Sequence, residues 1–416
     1  MIPVKELLKE RYVNPVKENP ESLVGIELEL PIVSHAQAVD INVTKGLLST
    51  LSQEDAFSIY ERDLDGNVIA IKDRSGDMIL FEVSYNTLEI AFAPVKQIAE
   101  AEQRFNRYKS LIDNYLEQNG HSLAFYGINP QWSRNDNRPV ASPRYQMLMS
   151  YLELSSKFPQ MHRFPRYGAF ICGSQVQLDI SKDNYLRVIN AFDQIEAAKA
   201  LLFANSEFDG ADWETRISRD LFWEESMHGL VAGNAGLPRT RYGLEDDFMQ
   251  ALEETAMFTV KRGEELYYFI PVLVREYFES HQIKAWNLDG EEVTITPEEG
   301  DLEFHRAYLY QSLTTRGTVE FRSVCAQPLD RTFAPAAFHL GLLENLERLE
   351  SYLETANFFK EFGKDLKALR RQFSKKYLSV RESRVGRAFA KDLLTIAREG
   401  LIKRGFGEEV YLDSLD

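Results

Sequence analysis

Val24-Gly25-Ile26-Glu27-Leu28-Glu29-Leu30-Pro31, VGIELELP, is the stretch on which the fold turns. Its side chains alternate. Gly25, Glu27 and Glu29 fall on one side, and Ile26, Leu28 and Leu30 on the other. A period of two predicts a strand with one apolar face. Proline has no N–H for a sheet ladder, so Pro31 is expected to stop the strand.

The same alternation recurs further along. Met78 to Phe92 holds two strand-like runs separated near Ser84–Asn86, with Thr87, Glu89 and Ala91 on one face of the second. Tyr167 to Ile180 places Gly173, Gln175, Gln177 and Asp179 on a shared face, and Gly317 to Val324 does the same for Glu320 and Arg322. Asp63–Asp73 reads as a strand turning at Asp65-Gly66-Asn67. It superficially resembles a calcium loop, but its glycine is misplaced and the closing glutamate is absent. Helical periodicity covers about 94–117, 183–205, 335–361 and 364–398, with short helical candidates at 249–258 and 266–278. The polar run 130–143 suits a site loop or a plain connector. No internal repeat or low-complexity tract breaks the chain, which reads as one catalytic unit over 1–416 with a helical C-terminal embellishment at about 335–410.

Composition narrows the function. The 416 residues carry 48 Lys and Arg against 64 Asp and Glu, a formal charge of −16. Such a surface repels a polyanion, which argues against nucleic acid as a partner. Two cysteines, Cys172 and Cys325, make neither a disulfide framework nor a four-thiolate metal site. No apolar run is long enough to span a membrane, and the first residues lack an apolar signal core. A reduced cytoplasmic protein is expected, with its oligomeric state open. There is no GxxxxGK loop, no GxGxxG unit, no HExxH, GxSxG or CxxC. Any ATP would therefore be held without a P-loop, by metals and basic side chains.

Carboxylates set singly among apolar strand residues are the informative feature: Glu27, Glu29, Glu82, Glu89 and Glu320. Burying charge is costly unless it is paired or coordinated. Hard divalent ions, Mg2+ or Mn2+, suit such an oxygen-rich set. From pattern alone, a solvated strand face, a cross-strand ion pair for Glu320 and Arg322, and a glycosidase acid/base pair remain open.

GIELELP at Gly25–Pro31, FEVSYNTLEIAF with Glu82 and Glu89, ICGSQVQLDIS with Gln175, and TRGTVEFRS with Glu320 and Arg322 come in one order over about residues 20–340. Together they resemble the glutamate–cysteine ligase family, within the glutamine synthetase-like carboxylate–amine ligases. SRDLFWEES near Arg219 resembles another stretch of those enzymes. The substrate loops match no subgroup closely.

The resemblance implies an α+β fold with a glutamine synthetase-like catalytic core. In it a curved, mostly antiparallel sheet forms a funnel with helices on the outer side. It implies ATP-dependent joining of the glutamate γ-carboxyl to the amine of cysteine, or to another amine, through an acyl-phosphate. A carboxylate-dependent hydrolase is the other class. The ligase reading places metal roles on Glu27, Glu29, Glu82, Glu89 and Glu320, with ATP and Mg2+ or Mn2+ as cofactors. Gln175, Arg316 and Arg322 are expected on the nucleotide, and Arg322 and His305 at the chemistry. Arg219 and Arg306 are further candidates for phosphate or a substrate α-carboxylate. Trp132 and Trp223 read as packing, and the cysteines as small buried apolar residues.

Overall fold

The computed structural model describes residues 3–415. Its strands, in chain order, are β1 (Val24–Ser34), β2 (Phe57–Arg62), β3 (Val68–Asp73), β4 (Met78–Phe81), β5 (Thr87–Val95), β6 (His121–Leu123) and β7 (Ser174–Asp179). There follow β8 (Ala235–Gly236), β9 (Ala256–Arg262), β10 (Glu265–Leu273), β11 (Ile283–Trp286) and β12 (Glu292–Ile295). The last three are β13 (Tyr308–Leu309), β14 (Gln311–Leu313) and β15 (Thr318–Phe321).

Nine strands form the main sheet in the order β14-β15-β7-β1-β5-β4-β3-β2, with β6 paired to the far end of β1. Its pairings are antiparallel, and the sheet is open rather than closed into a barrel. The strands β9–β12 make a second antiparallel sheet, and β8 and β13 pair in parallel.

The period-two pattern divides the main sheet by chemistry. Leu28, Ile90, Val176 and Phe321 are buried on one face. Helices cover that side: Ile41–Leu51 meets β3, Ile98–Gln118 meets β5 and β6, and Ala334–Glu344 meets β7 and β1. Phe321 lies 4.6 Å from both Phe192 and His339, ring centre to ring centre. The Ala334–Glu344 helix backs onto Val380–Arg404 at Gly341 and Gly400. A Cβ on Gly400 would come within 2.0 Å of the Gly341 carbonyl oxygen, so the two backbones touch there. The mixed helices and large antiparallel sheet agree with the α+β expectation.

Several local expectations change. β1 continues past Pro31 to Ser34. The Glu29 N–H points to Gly173 beside β7, so the missing N–H of Pro31 faces the gap between β7 and β6, where no ladder bond is needed. Pro94 lies inside β5, and the helix starts at Ile98 behind a Gln97–Glu100 capping box. The 266–278 segment is strand as far as Leu273, and only Val274–Glu279 is helical. Its run of aromatic and β-branched residues, ELYYFIPVL, pairs with β9 rather than presenting a helical stripe. The expected strand at 167–180 begins only at Ser174, after a tight turn at Pro165–Ala169.

Candidate active site

The face of the main sheet away from these helices is built of carboxylates and amides. Antiparallel register sets Glu29 opposite Glu89, Glu27 opposite Gln175, and Gln177 opposite both Gly25 and Glu320. Residues facing each other in this way lie on one face. Glu82 joins them from the turn between β4 and β5. The next residue, Val83, has φ of 58°, a left-handed conformation that costs a β-branched residue roughly 1–3 kcal/mol. Burial of its side chain and a 2.8 Å bond from the Val140 N–H to its carbonyl hold it there. The bend brings Glu82 back beside Glu89, close enough for its charge to raise the Glu89 carboxyl.

These acids meet mostly neutral donors. Glu29 accepts from the Gly173 N–H at 2.5 Å and from the Gln175 amide at 2.8 Å. The Gln177 amide donates to Glu27 at 2.9 Å and to Glu320 at 3.5 Å. Arg316 fixes that amide from behind, donating to its oxygen at 2.6 Å. Glu320 has a cation, Arg322, at 2.6 Å. Burial opposes the charge of Arg322, but Glu320 and then Tyr308 and Glu27 hold it protonated. The acids themselves are crowded. Burial and then Glu320 push Glu27 up to about 7. Burial and then Glu82 push Glu89 well above the usual carboxylate range. Burial raises Glu29 against the pull of Arg219.

A cavity of about 330 Å³ opens over this face. Glu27, Glu82, Glu89, Gln175, Gln177 and Glu320 form its acidic and amide wall. Arg11, Arg144, Arg306, Arg316 and Arg322 also line it. Glu29 lies on the same face, with Gln175 donating to it, but does not line the cavity. Arg11 and Arg144 are the residues that sequence reading missed. Arg11 comes from the N-terminal segment, and Arg144 follows Pro143 at the start of a helix. Neither stands in a recognisable pattern.

Two expectations are corrected. His305 reaches the cavity wall, but both ring nitrogens are occupied: Nδ1 by the Tyr12 hydroxyl at 2.7 Å and Nε2 by the Thr255 hydroxyl at 2.6 Å. Burial, and then Arg11, push it down to about 3, so it is neutral. It pins the N-terminal segment to the start of β9 rather than offering a proton to a phosphate. Arg219 does not line the cavity. It lies behind Gly173, where a Cβ would come within 2.6 Å of its guanidinium, and supplies charge behind Glu29. Trp132 packs among Phe164, Phe170 and Phe208, and Trp223 stacks on Tyr308 at 5.0 Å, as expected of packing residues. Both cysteines are free and buried.

The glutamate–cysteine ligase family 2 model matches residues 23–415. The chain belongs to that family. Membership makes it an enzyme of the ligase class. Its curated relatives include chloroplastic glutamate–cysteine ligases from Brassica juncea, 21% identical over 365 residues, and from Solanum lycopersicum, 23% identical over 362. Each alignment covers 86% of this chain, against 67% of the Brassica and 66% of the Solanum protein. The chain thus spans about two thirds of the length of those relatives. Among solved structures, it is similar to a glutamate–cysteine ligase from Francisella tularensis in complex with AMP. That likeness has a TM-score of 0.46 and 13% identity, covering 96% of this chain and 82% of that one. A glutamine synthase homologue scores 0.30. Likenesses this loose add no weight, and membership rests on the family model. Among the described residues, no helix is long and apolar enough to cross a membrane.

The family's metal roles can be set against the geometry. Among the described residues, no three His, Cys, Asp or Glu side chains converge into a ready-made ligand group. The five glutamates share a face without closing on one point. The donor chemistry nevertheless fits a hard divalent ion. The donors are all oxygen. Gln175 Oε1 is buried with no hydrogen-bond partner. Glu27 and Glu89 also sit where a cation would relieve their crowding.

Proposed function

We propose that the chain joins the γ-carboxyl of glutamate to the amine of cysteine in an ATP-dependent reaction at this cavity. One observation carries the reading: in a member of this family, a face of under-neutralised carboxylates is lined by arginines within a single small cavity. Glu27, Glu29, Glu82, Glu89 and Glu320, with Gln175, would hold Mg2+ or Mn2+. When bound, such ions supply charge neutralisation and polarise phosphate oxygens.

The chemistry divides into two steps. A γ-carboxylate oxygen of glutamate attacks the terminal phosphorus of ATP, and the bond to ADP breaks. The amine then attacks the acyl carbon, loses its proton, and phosphate leaves. A free carboxylate is a poor electrophile, and the phosphoryl group gives it a leaving group. Arg322, held against Glu320, lines the cavity, and it would orient the transferring phosphoryl oxygens. Arg316, locked on Gln177, would set the amide that steers Glu27 and Glu320. Among the described residues, the side chains of Arg144 and Arg306 make no hydrogen bond or ion pair, which leaves them for substrate carboxylate or phosphate.

Phosphate release from ATP in the presence of glutamate, measured across a panel of amines, tests this. Cysteine is expected to give the fastest release, and only with a divalent ion. Release with another amine and none with cysteine would move the reading to a different carboxylate–amine ligase. No metal-dependent ATP binding at all would end it.

A further inference from the structure

A second, larger cavity of about 860 Å³ shares no lining residue with the carboxylate cavity. Its floor is aliphatic. Leu201 and Leu202 come from the Glu196–Phe203 helix and Leu394 from Val380–Arg404. Its rim is cationic: Arg216, Lys375, Lys376, Arg387 and Lys391. No described Asp or Glu lines it. In a chain with 64 acidic and 48 basic residues, a rim of five cations and no acids runs against composition.

Four of the five rim charges are also unpartnered among the described residues. Lys376 has an acidic partner, Glu207, at 3.8 Å. Among the described residues, the side chains of Arg216, Lys375, Arg387 and Lys391 make no hydrogen bond or ion pair. The Nε of Arg216 is buried without an acceptor. Arg387 and Lys391 lie one turn apart on a helix whose start is fixed by a Ser379–Glu382 capping box, so they present to the same side. Like charges at that spacing repel each other, and a bound anion would remove the repulsion.

We propose that this cavity binds a small amphipathic anion, with a phosphate-bearing head on the rim and an aliphatic body on the leucine floor. Arginine forks and lysine ammonium groups together suit phosphate oxygens. The volume falls within the roughly 300–1,000 Å³ of small-molecule sites. Five leucines line it, Leu201, Leu202, Leu378, Leu394 and Leu415, against one aromatic, the exposed Tyr377, so its apolar surface is mainly aliphatic and suits an alkyl or acyl chain.

Calorimetric titration of the full chain with dodecyl phosphate, below its micelle concentration, tests the proposal. Saturation at one molecule per chain is expected. The Arg387→Glu/Lys391→Glu variant should bind at least about tenfold more weakly, as reversing two contacting charges requires. Its melting temperature and its ligation rate should match the parent, since neither residue touches the carboxylate cavity. Pyrophosphate, lacking the chain, and dodecyl glucoside, lacking the charge, should each bind at least about tenfold more weakly than dodecyl phosphate. Equal binding by the variant, equal binding of the neutral amphiphile or of pyrophosphate, or no saturable binding would overturn it. So would sedimentation with anionic phospholipid vesicles without saturable binding of the soluble probe, which would assign the rim to a membrane surface.

Discussion

Two groups of carboxylates flank the main sheet, one fully buried and the other mostly half-buried, and they are treated in opposite ways. Behind the sheet, Glu196 and Asp220 are matched by cations. Glu196 takes Lys199 at 2.6 Å, Arg370 at 3.0 Å and the Ser323 hydroxyl at 3.0 Å. Asp220 takes Arg370 through two bonds, at 2.8 and 3.1 Å. In front of the sheet, Glu27, Glu29, Glu82 and Glu89 meet neutral amides and one another. A buried acid with a cation is part of the frame. A row of half-buried, crowded acids without enough cations is a site waiting for charge from a ligand.

The largest effect should come from breaking the matched group. Arg370→Met leaves Asp220 and Glu196 without their guanidinium, and denaturant unfolding should show a loss of about 3–5 kcal/mol. The unmatched group should respond the other way. Glu27→Gln removes one repelling charge, so steady-state assays should show turnover falling by roughly a hundredfold or more while the metal-free melting temperature does not fall. If Glu27→Gln destabilised the chain as Arg370→Met does, the two groups would not differ in kind.

How far the sequence shows this contrast depends on the residue. The alternation in β1, β5 and β15 makes Glu27, Glu29, Glu89 and Glu320 readable, because a period of two fixes the face and the register does the rest. Arg370 is not readable. It sits in LKALRRQF, which looks like a solvated helix, yet it is among the largest fully buried side chains. Its partners lie on distant segments, and no local period reports a long-range ion pair. Arg11 and Arg144 are not readable either, because they reach the cavity from segments outside the alternating strands and no local period marks them. His305 was visible, but its role was not, since Tyr12 and Thr255 are far from it in sequence. The β10 strand is not legible as a strand, because a short, mostly apolar run fits a helix or a strand equally well.

Smaller perturbations sharpen the comparison. Ser323→Ala removes one of the donors to Glu196, and thermal or chemical unfolding should show a loss of about 1–2 kcal/mol, less than for Arg370→Met because the cations remain. The subtlest test is pH. Burial pushes Asp193 up to about 8, against the pull of its bond from Gln311. It therefore holds a proton in the folded chain at pH values where the unfolded chain has lost it. Stability from this group should fall as pH rises from the ordinary carboxylate range through about 8. Asp193→Asn should flatten that slope in melting curves taken across the range, and an unchanged slope would show that Asp193 is not its source.

The central claim is that the unmatched carboxylates hold divalent ions beside ATP. Anomalous diffraction from crystals grown with Mn2+ and a nonhydrolysable ATP analogue tests it directly. The account predicts manganese peaks at bonding distance from carboxylate oxygens of Glu27, Glu29, Glu82, Glu89 and Glu320, with the phosphates beside Arg322. Analogue bound with no manganese at these residues, or manganese bound only elsewhere, would contradict it.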